Sequence, residues 1–364
     1  MMLRVAHVLN SPGHGGVPRV VDALIRHSDP MRIAPLVFYL KPGQGTPVSP
    51  DIPIRVATTA SKASAMTELV AFLDHHGIDV LHTHSYRPNL FGRMAGAMLR
   101  PAGLRIVAHY HNDYDDKWDA EALCVERRLA AITDTAFAVS ASVAAHVAER
   151  VGLVCEVAEN GIDRARVIGG DKARGRTALG LGACGPVIGL VGRVCRQKGV
   201  DIFVDAAIEL ASTLPQAQFV IIGDREDASL AADLWSRIDL AGLTGRFRFP
   251  GHREDMADMF AALDLLAAPS RWEGFGLMLA EAMAAGLPVV ASRVGGIPDV
   301  LGEAGMLISP EDPTALADAI GAVLSDSQRR AAMINLGQTR AARFDWARTA
   351  GRITQAYEGV RMAA

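Results

Sequence analysis

The 364-residue chain has only four cysteines, Cys124, Cys155, Cys184 and Cys195, and none form a C-x-x-C pair. Neither a cysteine-built zinc site nor a disulfide framework is indicated, and a reducing cytosol is the simplest compartment. No apolar run reaches the roughly 18 residues needed to span a bilayer. The opening MMLRVAHVLNSPGHGG has only a short apolar run before Gly and Pro, so it reads as a first strand rather than a signal peptide. Neither sign of charge dominates. The net charge is −3, with +2 over residues 1–180 and −5 over the rest, too even to suggest nucleic-acid binding. A G-x-x-x-x-G-K-[ST] P-loop is missing. The dinucleotide fingerprint also fails: Gly13 and Gly15 fit, but Pro18 stands at the third position. The second strand ends in LKPGQ, without the acid that would hold a ribose.

What is present is alternation. LRVAHVL, APLVFYL, DVLHT, LRIVAHY and TAFAVS read as strands, with helical patterns such as VPRVVDALIRH, NLFGRMAGAML and SVAAHVAERVG between them. A polar, Gly-rich stretch over 169–185 breaks the pattern, which resumes with PVIGLVG, QFVIIG, FRFPG, LDLLAAP and LPVVAS. Near-continuous apolar strands with helices between them predict parallel sheets covered on both faces. The fold class is α/β, with two doubly wound domains, over 1–168 and 169–347, joined near 165–185. The last segment, FDWARTAGRITQAYEGV, is a capable amphipathic helix with Trp346 and Tyr357 as anchors. Ligands in doubly wound sheets sit beyond the carboxyl ends of the strands, so two such domains face to face predict a cleft.

The chemistry-bearing residues do follow strands. Gly15 and Gly16, before a helix, let the backbone approach an anion. In VGRVCRQKG, Arg193 and Lys198 flank a strand-to-helix turn and could neutralise a diphosphate; ordinary surface charge is the competing reading. SRWEGFGLMLAEAMAAGLPVVAS (270–292) puts two carboxylates, Glu273 in a loop and Glu281 in a helix, into a stretch otherwise almost wholly apolar or small. Ionised carboxylates are rarely buried without partners, and each could grip a pair of sugar hydroxyls. Gly274 and Gly276 would bring backbone N–H groups to the same place. A carboxylate near a helix start can also simply complement the dipole, which accounts for Glu281 and leaves Glu273 unexplained.

Two motifs look like metal sites. The D-x-D within DYDDKWD (113–119) could hold a divalent metal through oxygen ligands, but reads as a solvated acidic turn or helix start. HTHS (82–85) and HYH (109–111) offer imidazoles, and H-x-H along a strand points both rings to one face. No third ligand is visible, so hydrogen bonding to substrate is the expectation and no metal is assigned. Ten of the eleven histidines precede residue 150, and scattered surface positions are the plain explanation. Arg87, Arg93 and Arg100 read as a solvated face, with peripheral membrane contact as the alternative.

Taken together, HVLNSPGHGGVPRVV, DVLHTHSYRPNLFGR, ENGID (159–163), VGRVCRQKG, FVIIGD, FPGHRED, the E-x7-E of Glu273 and Glu281, and VGGIPDVL resemble the retaining GT-B glycosyltransferases of family 4. The resemblance spans nearly the whole chain and is strongest from 186 to 310. It implies two Rossmann-like domains facing across a cleft, and a nucleotide-sugar donor held mainly by the second. Glu281 would bind the ribose, Glu273 the donor sugar, and Arg193 and Lys198 the diphosphate. Backbone around Phe275, Gly276 and Leu277 would line the donor, and His252 and Arg253 would border the base. In the first domain, Gly16 would approach the phosphates and His111 would face the transferred sugar, with His109 the second candidate for that place. Arg19, His84 and His109 are assigned to the acceptor side, Asn160 and Gly161 to the hinge region, and the C-terminal helix 348–364 to the first domain. Arg19 lacks the acid that often precedes it in relatives, and Asp299 stands where Glu is common.

The resemblance implies hexosyl transfer with retention, independent of metal and of any cofactor beyond the nucleoside-diphosphate sugar. The acceptor would be a lipid-linked glycan or a small metabolite, in glycan, polysaccharide or glycosylated-metabolite biosynthesis. The expected location is the cytoplasm or the inner face of the membrane. A sugar-nucleotide epimerase and a donor-binding inactive partner subunit are the rival readings.

Overall fold

The computed structural model describes residues 2–13, 15–43, 45, 47–59, 61–114, 117–182 and 185–362. His14, Cys184 and the second aspartate of the D-x-D, Asp115, lie outside the described residues. The chain divides into two compact units, one of Met1–Gly161 with Asp345–Ala364 and one of Ile162–Phe344. The sequence pattern put these divisions at 168 and 347.

Unit 1 carries strands β1 (Leu3–Leu9), β2 (Ile33–Tyr39), β3 (Ile54–Val56), β4 (Val80–His84), β5 (Arg105–Tyr110), β6 (Thr135–Ala138) and β7 (Glu156–Val157). Among the described residues they form one sheet in the order β3-β2-β1-β4-β5-β6-β7, paired in parallel throughout. The five strands expected from the sequence are all present. β3 and β7 are additions of three and two residues, too short to leave a periodicity.

Alternation along β1 sorts side chains to the two faces of the sheet. Ala6 and Val8 join Phe38, Leu81 and Ile106 beneath Leu69 and Leu73 of the helix Lys62–His75. Leu9 joins Val37 and Tyr39 beneath Val21 and Ile25 of the helix Gly16–Arg26. The C-terminal helix Trp346–Met362 belongs to this unit. Trp346 and Tyr357 are its buried anchors, and the Thr349 hydroxyl donates to the Glu159 carbonyl at 2.6 Å.

One expectation fails here. Arg93 is not on a solvated face. It is 0% exposed and paired with the buried Glu126 carboxylate, while its Nε donates to the Asn89 carbonyl at 2.6 Å. A buried guanidinium needs this partner, since an unpaired charge in the interior is strongly unfavourable. Arg100 forks onto Asp134 through two 2.8 Å bonds, leaving Arg87 as the exposed member of the three.

Unit 2 repeats the plan with β8 (Val187–Val191), β9 (Gln218–Ile222), β10 (Phe247–Gly251), β11 (Leu265–Ala268), β12 (Val289–Ser292) and β13 (Met306–Ile308), ordered β10-β9-β8-β11-β12-β13 and parallel. Its core gathers Ile188, Leu190, Phe203, Phe219, Ile221 and Leu234. The Gly-rich stretch from 169, which the sequence pattern assigned to the second domain, belongs to this unit. It contains the helix Lys172–Ala178, capped by Asp171, whose side chain accepts from the Arg174 amide. A Cβ at Gly175 would come within 2.1 Å of the Asp258 carbonyl. The glycine there allows close helix packing rather than flexibility.

In each sheet the strand order reverses once beside the first strand, between β1 and β4 in unit 1 and between β8 and β11 in unit 2. Such switch points open a crevice beyond the strand ends. Among the described residues, no helix is long and apolar enough to cross a membrane.

Candidate functional site

At the switch point of unit 2, β8 runs into a tight turn, Arg196–Lys198, and then the helix Val200–Thr213. Gly199 makes that turn with φ 63°, and a Cβ there would lie 1.9 Å from the Pro269 carbonyl oxygen. Only glycine allows the backbone both this left-handed conformation and this approach. The turn delivers Arg193 and Lys198 to the strand end. Lys198 Nζ pairs with the Glu273 carboxylate, the two side chains being 13% and 12% exposed. Arg193 pairs with Glu226 and also donates to Gln197 Oε1 at 3.1 Å.

The loop after β11 is held on both sides. Gln197 Nε2 donates to the Trp272 carbonyl at 3.1 Å, and the Arg271 amide donates to the Gln197 carbonyl at 2.9 Å. The Arg271 guanidinium forks onto Asp201 through two 2.8 Å bonds. The Gly296 amide donates to the Glu273 carbonyl at 2.8 Å. Gly295, with φ 47°, lies where a Cβ would be 2.1 Å from that oxygen. Glu273 is therefore fixed by its backbone as well as by Lys198. Gly274 is buried, Gly276 turns left-handed at φ 83°, and Leu277 begins the helix Leu277–Ala284. Phe275 is buried with its ring 5.3 Å from that of Phe344. Glu281, 4% exposed in the same helix, is buried too deeply to be an ordinary surface partner of the helix dipole.

Past β10, His252 is exposed with Nδ1 4.0 Å from the Asp224 carboxylate, and Arg253 forks onto Asp255. Of the predicted donor residues, unit 2 thus brings Lys198 and Glu273 into direct contact and sets Arg193 on the same turn as Lys198. Gln197 and Glu226, which hold Arg193, were missed from the sequence; a glutamine between two basic residues carries no motif signal.

The strand ends of unit 1 hold different chemistry. β4 lies beside β1 with His82 opposite His7, and beside β5 with His84 opposite His109. Period-two alternation then sends His7, His82, His84 and His109 to one face, with His111 continuing the line past β5. The rings of His82 and His84 are 4.1 Å apart and those of His109 and His111 4.2 Å apart. His7 Nδ1 is 3.0 Å from His84 Nε2, and His84 Nδ1 is 3.2 Å from His111 Nε2. His82 Nδ1 meets the Tyr357 hydroxyl. His7, His82, His84 and His109 are buried and His111 is half-buried.

Two expectations from the sequence are overturned here. These histidines are not surface scatter, and a third potential metal ligand is assembled: His7, His82 and His84 form one candidate group, and His84, His109 and His111 another. His7 was missed because a single histidine in an apolar strand gives no motif; only the register reveals its neighbours. Burial keeps the imidazoles neutral, depressing His7 to about 4 and His111 to about 3. His82, His84 and His109 are held well below their ordinary value by burial and then by repulsion from neighbouring imidazoles. Gly16 starts its helix where a Cβ would meet nothing within 4 Å among the described residues, and Arg19 is exposed on the first turn of that helix. Asp113 is described, but its D-x-D partner is not.

Two parallel-sheet α/β units, with charged groups at the switch point of one and imidazoles at that of the other, define the class: this is the GT-B fold. The chain belongs to glycosyltransferase family 4, the group 1 glycosyl transferases. Residues 14–166 match the model described as Glycosyltransferase Family 4, and residues 185–326 the one described as Glycosyl transferases group 1. Among curated relatives, the lipopolysaccharide core biosynthesis mannosyltransferase LpsB of Rhizobium meliloti is 38% identical over 197 residues, 52% of this chain and 56% of that protein. The D-inositol 3-phosphate glycosyltransferase of Corynebacterium urealyticum is 36% identical over 193 residues, 51% of this chain and 46% of that protein. The chain thus spans about half the length of the curated relatives it matches. Among solved structures, Anabaena Alr3699/HepE in complex with UDP and glucose superposes with a TM-score of 0.86 at 24% identity, covering 98% of this chain and 100% of that one. Sucrose-phosphate synthase from Thermosynechococcus elongatus gives 0.82 at 22%, covering 100% of both. These two likenesses concern the fold.

Proposed function

We propose that this protein is a retaining glycosyltransferase that moves a hexose from a nucleoside-diphosphate sugar to an acceptor hydroxyl without a metal ion. The observation that carries the reading is the Arg193–Lys198–Glu273 arrangement at the switch point of unit 2. Two cations stand on one turn, next to a carboxylate whose backbone is anchored from both sides.

Departure of the diphosphate builds negative charge on its oxygens, and fixed cations already in place stabilise it without reorganisation. A diphosphate draws Arg193 from Glu226 and Lys198 from Glu273, freeing the Glu273 carboxylate for sugar hydroxyls. Glu281 takes the ribose hydroxyls, and the turn at His252 and Arg253 borders the base. Neutral His111 is the group offered to the transferred sugar. A hydrolytic pair would have to flank the scissile bond; here both carboxylates are assigned to binding the donor. Two fixed cations at the leaving group serve where a metal otherwise would. The relatives named above include a lipopolysaccharide-core mannosyltransferase and an inositol-phosphate glycosyltransferase. They favour glycan or glycosylated-metabolite assembly, the acceptor being a lipid-linked glycan or a small metabolite. HepE was solved with UDP-glucose, which favours UDP as the first donor nucleotide to try.

Thermal stability with UDP, GDP and ADP at equal concentrations tests the reading, since a ligand of the native state raises apparent stability with occupancy. One diphosphate is expected to raise Tm in the intact protein, and Glu281→Gln to reduce the shift. Turnover of the matching nucleotide sugar must then require an acceptor. A product formed from the donor alone would indicate an epimerase, and binding without transfer to any acceptor an inactive partner subunit.

A further inference from the structure

The five neighbouring imidazoles His7, His82, His84, His109 and His111 exceed what the proposed transfer uses, and one of them is unusual. His109 is fully buried, yet neither ring nitrogen has a hydrogen-bonding partner among the described residues. Burying polar nitrogens without partners is unfavourable. Three ring nitrogens, one each from His84, His109 and His111, lie within 4.8 Å of one another. His84 Nδ1 and His111 Nε2 are 3.2 Å apart, close to the edge of about 3.3 Å in a tetrahedron with metal–nitrogen bonds of about 2.0 Å.

We infer that His84, His109 and His111 form a binding site for a divalent transition metal of the zinc class. The donor set is neutral imidazole alone, which suits zinc and its neighbours rather than calcium or magnesium. Neutral imidazole, with one lone pair per ring, is the form that binds such a metal. A second ring stands behind the first. With His84 Nε2–H donating to His7 Nδ1 at 3.0 Å, the lone pair on His84 Nδ1 faces the ion, the arrangement that fixes a metal-bound tautomer. His109 is brought in by a change in its ring torsion, which gives one orphaned nitrogen a partner. His111 is half-buried, so the ion can enter on that side, where a water or hydroxyl oxygen takes the fourth position. The loaded site claims the His111 nitrogen that the transfer reading offers to the sugar, so the ion acts against transfer rather than within it.

Cobalt(II) titrated into metal-free full-length protein tests the site through its visible spectrum, with no donor or acceptor present. The result is therefore independent of the transfer reading. Wild-type protein is expected to take up one Co2+ per chain with the intense bands of a four-coordinate site, and one equivalent of Zn2+ should bleach them. His109→Gln and His111→Gln should each lower Co2+ affinity at least tenfold. His111, being half-buried, is the substitution the fold tolerates more easily, and circular dichroism checks both variants. His27→Gln, on an exposed helix end of the same unit, should leave the titration unchanged. Weak six-coordinate absorption in the wild type, or unchanged four-coordinate bands in folded His111→Gln, would overturn the assignment.

Discussion

Unit 1 and unit 2 follow one plan, a parallel sheet whose strand order reverses once, but their switch points solve the problem of polar groups differently. In unit 2 the groups stay charged because each has a partner: Lys198 has Glu273, Arg193 has Glu226, and Arg271 has Asp201. In unit 1 the polar groups are imidazoles stacked against one another, with Phe137 and Tyr357 beside them. No carboxylate belongs to either three-histidine group, so desolvation keeps the rings neutral. The comparison teaches that strand topology supplies the location of a site, while the partners of each side chain supply its chemistry.

The largest effect that would sharpen this contrast is acid sensitivity confined to one unit. His7 and His111 have folded-state values of about 4 and about 3, below the 6.5 of an unfolded chain. The unfolded state therefore binds protons first. The histidines' contribution to stability is complete above pH 6.5 and is lost as pH falls towards 4. Each such histidine contributes a slope of up to about 1.4 kcal/mol per pH unit. In protein treated with a chelator, the hydrogen-exchange protection factors of β4 and β5 should fall between pH 7 and 5 far more than those of β8 and β11. An equal fall in both would refute the contrast.

Next in size is the buried ion pair of unit 1, which breaks the simple opposition of neutral and charged. Glu126→Ala should cost about 3–5 kcal/mol by leaving Arg93 buried and uncompensated, measured as a fall in the urea midpoint. Arg93→Met combined with Glu126→Leu should recover most of that loss. In unit 2 the corresponding test is functional. Lys198→Ala and Glu273→Gln should each lower donor-dependent turnover by more than about tenfold, equal to about 1.4 kcal/mol, with the circular dichroism spectrum kept. Unchanged initial rates in both variants would remove them from the site. The smallest expected effect lies far from either strand end. Asp312 caps the helix Pro313–Ser325 by accepting from the Ala315 amide at 2.8 Å, so Asp312→Ala should cost about 1 kcal/mol without altering nucleotide binding.

Much of unit 2 was legible in the sequence because its signals are local. Arg193 and Lys198 are five residues apart on one turn, and Glu273 and Glu281 flank the start of one helix. What could not be read was that Lys198 and Glu273 hold each other, since they come from turns 75 residues apart that meet only when β8 pairs with β11. The Gly-rich stretch from 169 marked a break in the pattern, but not that Gly175 serves close packing against the Asp258 carbonyl. Arg93 was misread because its spacing from other arginines says nothing about Glu126, which arrives on a different helix.

By itself, the sequence determined the two parallel α/β halves, their longer strands and the turns that carry charge, because hydrophobic periodicity and glycine act over a few residues. Tertiary structure decided which residues became neighbours. The register of β1, β4 and β5 gathered histidines separated by as many as 104 positions, His7 to His111, into one file. Burial then made them neutral, because removing water disfavours the charged imidazolium. That outcome depends on what covers a side chain, and the cover, such as Tyr357 over His82, comes from the other end of the chain.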